Sequence, residues 1–184
     1  MNKHYLDTKE EIENLGFKVV GHDFGRPWGG FILIDESQSK DFIYHFISKE
    51  NLDIKGKVSP KILIVNPNSR LSWQFHHRRK EIWRIYKNQV GIFRSMNNRQ
   101  NEMEIFNVGE LVQFQKEERH RLVGLSNFGV VAEIWIHTDS NNLSDEEEDR
   151  KESEEEEEEE EEEAEEEESE EEDQQKEVED NDAV

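Results

Sequence analysis

The sequence predicts an all-β barrel with one short N-terminal helix and a disordered acidic C-terminal tail. Three observations lead there. Short runs rich in Val, Ile, Phe and Trp recur as far as His137, separated by turn residues at roughly 8–12-residue spacing, as in antiparallel sandwiches and barrels. Only the region before Phe17 carries a full helix signature. The third observation is where the charge sits. Of 46 acidic residues, 28 lie between Asp145 and Val184 against three basic ones, while Met1–Ser144 holds 18 acids and 20 bases. The net charge of −23 therefore belongs to the tail, and the body of the chain is close to neutral.

Taken in order, Thr8-Lys9-Glu10-Glu11 has the form of a capping box and Gly16 suits a helix end, so a helix is expected over about 8–15. Strands are expected at Phe17–Val20, Phe31–Ile34, Phe42–Phe46, Lys61–Val65, Leu71–His76 and Ile82–Tyr86. Further strands are expected at Val90–Arg94, Met103–Phe106, Leu111–Phe114, Arg121–Leu125 and Val130–His137. The stretch Asp35–Ser59 fits this pattern least and is expected to include a helical turn near Ser48–Leu52. Strand order cannot be read from spacing. The domain division expected is 1–144 for the folded body and 145–184 for the tail. Glu154–Glu163 is an unbroken glutamate run with no apolar face to bury, so it should stay solvated and disordered as a solubilising extension.

Composition excludes several classes. No apolar run approaches the ~18 residues needed to cross a bilayer, and MNKHYLDTKEE lacks the apolar stretch of a secretory signal. Without cysteine there is no disulfide and no thiolate chemistry. A soluble cytoplasmic protein without membrane contact is the expectation. Arg78-Arg79-Lys80 does not argue for nucleic acid, because the body carries only +2 and the tail would repel phosphates.

The stretch from Arg70 to Arg84 carries the chemistry. Gln74 and His76 are two apart, so on a strand they face the same way, and the polar run His77–Lys80 can turn the chain back before Glu81. His120, at the edge of a later expected strand, is the candidate to complete the set. An amide oxygen, two imidazoles and a carboxylate suit one divalent ion: zinc first, then manganese, iron or cobalt.

These residues resemble the two cupin motifs. Gln74-x-His76-x4-Glu81-x6-Asn88 follows the first, Gly-x5-His-x-His-x3–4-Glu-x6-Gly, with Gln for the first His and Asn for the last Gly. Gly109-x5-Gln115-x-Glu117-x2-His120-x3-Gly124 keeps the spacing of the second, Gly-x5-Pro-x-Gly-x2-His-x3-Asn, with only its first Gly and its His preserved. Gln74 narrows the resemblance to type II mannose-6-phosphate isomerases, whose cupin domain also occurs fused to mannose-1-phosphate guanylyltransferase. Arg26-Pro27-Trp28-Gly29, Leu71-Ser72-Trp73-Gln74-Phe75-His76-His77, Glu81-Ile82-Trp83, His120-Arg121-Leu122 and Ala132-Glu133-Ile134 match that pattern, and the family's acidic segment corresponds to Ser144–Arg150. Arg78 replaces the family's third histidine, and the nucleotidyltransferase domain does not occur in this sequence.

The resemblance implies a cupin (jelly-roll) barrel holding a metal through Gln74, His76, Glu81 and His120. It also implies aldose–ketose interconversion of mannose 6-phosphate and fructose 6-phosphate, or of a relative such as a heptose phosphate. On that reading Glu133 and Arg79 are the expected catalytic residues, and Lys61, Arg70 and Arg121 the expected anchors for a sugar phosphate. Trp28, Trp73, Trp83 and Trp135 offer faces to a sugar ring or fill the core. The alternative is a non-catalytic cupin that binds a sugar or nucleotide-sugar in polysaccharide metabolism. An iron oxygenase fits less well, because Gln74 stands where such sites place a histidine. A homodimer paired through a strand edge, Phe42–Phe46 being the candidate, is expected by analogy.

Overall fold

The structure, a computed structural model, describes residues 3–48 and 54–137. The chain divides into two units, residues 1–71 with 75–141, and residues 72–74 with 142–184. Of the second unit only 72–74 is described. The glutamate-rich extension and most of the turn expected near Ser48–Leu52 lie outside the described residues; Ser48 itself is extended.

The first helix, α1 (Lys3–Asn14), starts five residues before the expected Thr8. Thr8 is not its cap: it is buried within the helix, on the same face as Tyr5 and Ile12. That spacing of three and four is what seats the helix on the sheet, while Lys3–Asp7 and Lys9–Glu13 pair at 2.6 Å on the wet side. Gly16 ends it as expected. Its φ of +92° lets Gly16 N–H reach Glu13 O and Phe17 N–H reach Ile12 O, the paired bonds of a Schellman turn, and Phe17 and Ile12 enter one apolar cluster.

Nine strands follow: β1 (Val19–Arg26), β2 (Gly29–Ile34), β3 (Val58–Val65), β4 (Arg79–Lys87), β5 (Val90–Ser95), β6 (Glu104–Phe106), β7 (Leu111–Phe114), β8 (Arg119–Gly124) and β9 (Gly129–His137). They form a six-stranded sheet of order β1-β2-β3-β9-β4-β7 and a three-stranded sheet of order β6-β5-β8, each pairing antiparallel. This is the all-β, cupin-type jelly-roll barrel that the sequence predicts. No helix among the described residues is long and apolar enough to cross a membrane.

The strands of the large sheet are apolar on both faces, and the two-residue period sorts them into two clusters. Ile32, Ile34, Ile62, Ile64, Ile82, Val130, Ala132 and Ile134 point outward, against Tyr5, Ile12 and Phe17. Leu63, Val65, Trp83, Ile85, Val112, Phe114 and Val131 point inward and meet Val90, Ile92 and Leu122 of the smaller sheet. The other inward positions, Lys61, Arg79, Glu81, Glu133 and Trp135, alternate with the outward ones on the same strands.

Two expected strands are corrected. Phe42–Phe46 is helical: an α-turn, α2 (Ser39–Phe42), runs directly into a π-helical turn over Ile43–Ile47. Phe42, Phe46 and Ile47 are the buried positions, a spacing that makes a helical stripe and covers the outer cluster with α1. The segment therefore offers no strand edge for pairing two copies. Leu71–His76 is not a continuous strand either. The chain leaves the sheet after Arg70 bridges Val123 and Leu71 N–H bonds Leu122 O, and Gln74 makes only an isolated bridge.

Candidate metal centre

Glu81 sits at the inward face of β4, with 1% of its surface exposed. Its two oxygens face two imidazoles. His76 Nε2 lies 2.9 Å from Oε1 and His120 Nε2 lies 3.3 Å from Oε2. Oε1 also has Arg79 Nε at 3.4 Å, and among the described residues neither contact makes it a hydrogen bond. His76 and His120 are themselves buried, and one ligand atom from each of the three residues falls within 4.8 Å of the others. Two imidazole nitrogens and a carboxylate oxygen at that separation are a donor set that fits a divalent ion. His76, Glu81 and His120 form a cluster that could hold a metal.

Each ligand is held by its neighbours. His120 Nδ1 lies 2.9 Å from the carbonyl of Glu118, a contact that orients the ring and turns Nε2 toward Glu81. Its ring stacks on Phe114 at 4.2 Å between centroids and meets the edge of Trp83 at 5.3 Å. The turn before β8 is tied down by Glu118, whose carboxylate accepts from Arg94 and from Gln115 N–H, and by Glu117 N–H, which donates to His76 O at 2.9 Å. That last bond joins the segment carrying one histidine to the turn that aims the other.

Strand register adds a second carboxyl. Trp83 faces Glu133 across β4 and β9, and Lys61 faces Glu133 across β3 and β9. Trp83 Nε1–H is shared between Glu133 Oε1 at 2.8 Å and Glu81 Oε2 at 3.0 Å. Burial would raise the pKa of Glu81, but the two histidines outweigh it and hold this carboxyl well below the usual range. Glu133 moves the other way. Burial first and the charge of Glu81 second push it up to about 8, against a weaker pull from Lys61. Glu81 is thus the ionised, ligand-competent partner, and Glu133 holds a proton at neutral pH.

The other expected site residues divide. Arg79 is buried, with Nε 3.4 Å from Glu81 Oε1, and Lys61 lies beside Glu133, so both belong to the cluster. Their cationic groups are 3.5 Å and 2.8 Å from the centroid of the Trp135 ring. Arg70 is exposed at the bridge to Val123, and Arg121 is buried on β8 at the position after His120, where a strand presents the opposite face; neither is brought to the cluster. Gln74 belongs to the 72–74 segment, where it is half-buried and accepts from Ser72 at 3.4 Å. Of the tryptophans, Trp73 and Trp83 are buried and Trp28 packs against the inner cluster. Trp83 is the residue that sequence reasoning missed as a hydrogen-bond donor. The signal was Glu81-Ile82-Trp83, which puts the indole on the strand face of a ligand.

No family model matches the sequence, and no curated protein matches it. Some solved structures show a partial likeness. KdgF from Halomonas sp. is 9% identical with a TM-score of 0.43, over 62% of this chain and 85% of that one. A cupin 2 conserved barrel domain protein from Salinispora arenicola is 15% identical with a TM-score of 0.38, over 47% and 68%. A protein from Acidithiobacillus ferrooxidans that carries a provisional sugar phosphate isomerase name is 14% identical with a TM-score of 0.38, over 42% of this chain and 49% of that one. This chain spans about half the length of that last protein. At these scores nothing passes from those proteins to this one.

Proposed function

We propose that this chain is a metal-dependent phosphosugar isomerase that interconverts mannose 6-phosphate and fructose 6-phosphate or a close relative. The observation that carries the reading is the convergence of His76, Glu81 and His120 beside a second buried carboxyl, Glu133. The motif resemblance around residues 70–83 supplies the substrate class.

On this reading His76, Glu81 and His120 would hold the ion, zinc first. A divalent ion supplies polarisation of the substrate carbonyl and charge to balance the oxyanion that develops next to it. Glu133 is the proton carrier between the two carbons: in its ionised form, the minor one at neutral pH with a pKa of about 8, its carboxylate takes the proton from the hydroxyl-bearing carbon and returns it to the former carbonyl carbon, while the hydroxyl proton passes to the former carbonyl oxygen. Trp83 Nε1–H, shared by both carboxyls, keeps Glu133 at a set place relative to Glu81. Arg79 and Lys61 supply positive charge for the phosphorylated substrate. Arg70 and Arg121, as the barrel places them, are weaker candidates for that task.

The test is elemental analysis together with a coupled mannose 6-phosphate isomerase assay on the full chain and His76→Ala. Stoichiometric metal and turnover are expected in the wild type, with the variant losing metal and at least roughly 100-fold in activity. A fully loaded wild type without turnover on any sugar phosphate would refute the isomerase.

A further inference from the structure

Val90, Ile92 and Arg94 alternate along β5 onto one face, and the first two belong to the inner cluster. Arg94 continues that face, and in the ladder between β5 and β8 it stands directly opposite His120. An arginine in line with a core face has to spend its donors on specific acceptors. Its Nε lies 2.7 Å from Glu118 Oε1 and its Nη2 reaches the same oxygen, while Nη2 also donates to Gln113 O on β7 at 3.1 Å. The guanidinium carbon sits 5.2 Å from the centroid of Phe114, the ring on which His120 stacks. This is no solvated surface pair, since the Glu118 side chain keeps only 8% of its surface. The planar fork of an arginine makes these contacts at once, which the point charge of a lysine does not.

Both grips lead to the same imidazole. Glu118 is held by its side chain, one oxygen on Arg94 and the other on Gln115 N–H at 2.9 Å. The carbonyl of that same residue lies 2.9 Å from His120 Nδ1. Its neighbour in the turn, Glu117, donates its N–H to His76 O, so the second imidazole hangs on the turn as well. Glu117 also holds a φ of 60°, a conformation that costs energy for a residue with a side chain, so the turn would relax if its fastening were released. We propose that Arg94 is a positioning residue of the metal centre, which fixes the turn Gln115–Glu118 and the Phe114 ring and through them the direction of His120. The inference rests on the metal-centre reading and needs no sugar phosphate.

The experiment is a cobalt(II) titration of the metal-free full chain, read from the visible absorption bands. It compares wild type with Arg94→Ala, Glu118→Gln, the double variant of these two, and Lys18→Ala. The last removes an exposed ion pair with Asp35 and serves as the control. The glutamate-rich extension is the same in every chain, so any cobalt it takes cancels from the comparison. Arg94→Ala is expected to bind cobalt roughly 10- to 100-fold more weakly and with shifted bands, while Lys18→Ala matches wild type. The double variant is expected to lose little more than Arg94→Ala alone, because both changes act on one turn. Wild-type affinity and bands in Arg94→Ala, with only a lower thermal midpoint, would overturn the proposal and leave the metal centre standing. Fully additive losses would overturn the route through Glu118. No cobalt binding by the wild type would overturn the metal centre and this proposal with it. Should Arg94→Ala fail to fold, Arg94→Gln takes its place, with the same loss expected and the same outcomes overturning it.

Discussion

Asn88 and Glu117 stand where the resembled motifs have glycine, and both adopt the left-handed conformation that glycine favours, with φ of 57° and 60°. For asparagine this is tolerable, because its short amide readily satisfies itself locally. For glutamate it costs about 1 kcal/mol or more, since Cβ crowds the following carbonyl. The turn keeps its shape because Glu117 N–H is bonded to His76 O and Glu118 binds both Arg94 and Gln115. Glu117→Gly is therefore expected to stabilise the protein by about 1 kcal/mol, read as a higher denaturant midpoint with an unchanged slope. The exposed contact of Glu117 with His77, 3.4 Å long, is too weak to reverse that sign. Gly124, where the motif has asparagine, is constrained from outside: a Cβ there would lie 1.9 Å from Asn66 O, so no larger residue fits.

At the level of elements, α1 is fastened to β4 through charge as well as apolar contact. Tyr86 donates to Glu11 at 2.5 Å, and Lys87 pairs with the same carboxylate. Burial alone would raise the pKa of Glu11, but these two donors outweigh it and hold it below its ordinary value. A carboxyl with a depressed pKa in the folded state adds stability above its unfolded pKa, near 4.3, and loses it as pH falls through the lower folded value. Glu11→Gln is thus expected to unfold more easily than the wild type at neutral pH, with the gap closing in acid below about pH 4. A gap that persisted unchanged in acid would show that the charge of Glu11 is irrelevant to the fastening. The strands with simple two-residue alternation, such as Lys61–Val65 and Val130–His137, were legible in the sequence. Phe42–Phe46 was not, because aromatic and β-branched residues carry strand propensity while the burial of Phe42, Phe46 and Ile47 obeys a helical spacing that only the partner surface reveals. The early start of α1 was hidden for the opposite reason, since Thr8 looks like a cap and is spent on packing. In the site, His76, Glu81 and His120 could be read from motif spacing. The approach of Lys61 and Arg79 to the Trp135 ring could not, because it joins β3, β4 and β9 across the sheet.

For the molecule as a whole, the inner and outer clusters both draw only on residues before His137, and the acidic extension contributes to neither. Deleting Asp145–Val184 is expected to leave the thermal midpoint and the metal content unchanged; a fall in either would make the extension part of the fold. The inner cluster ends at the layer of Trp83 and Phe114, and His120 rests on both rings. Aromatic packing and a backbone contact thus hold His120 in its orientation, and Trp83 orders one oxygen of Glu81, so these contacts do not depend on an ion. This is the reverse of a zinc finger, where the ion is the core. The chain can finish folding empty and be loaded afterwards, so the ion it carries at any moment records supply and exchange in its surroundings, and a chelator should disarm the protein without unmaking it.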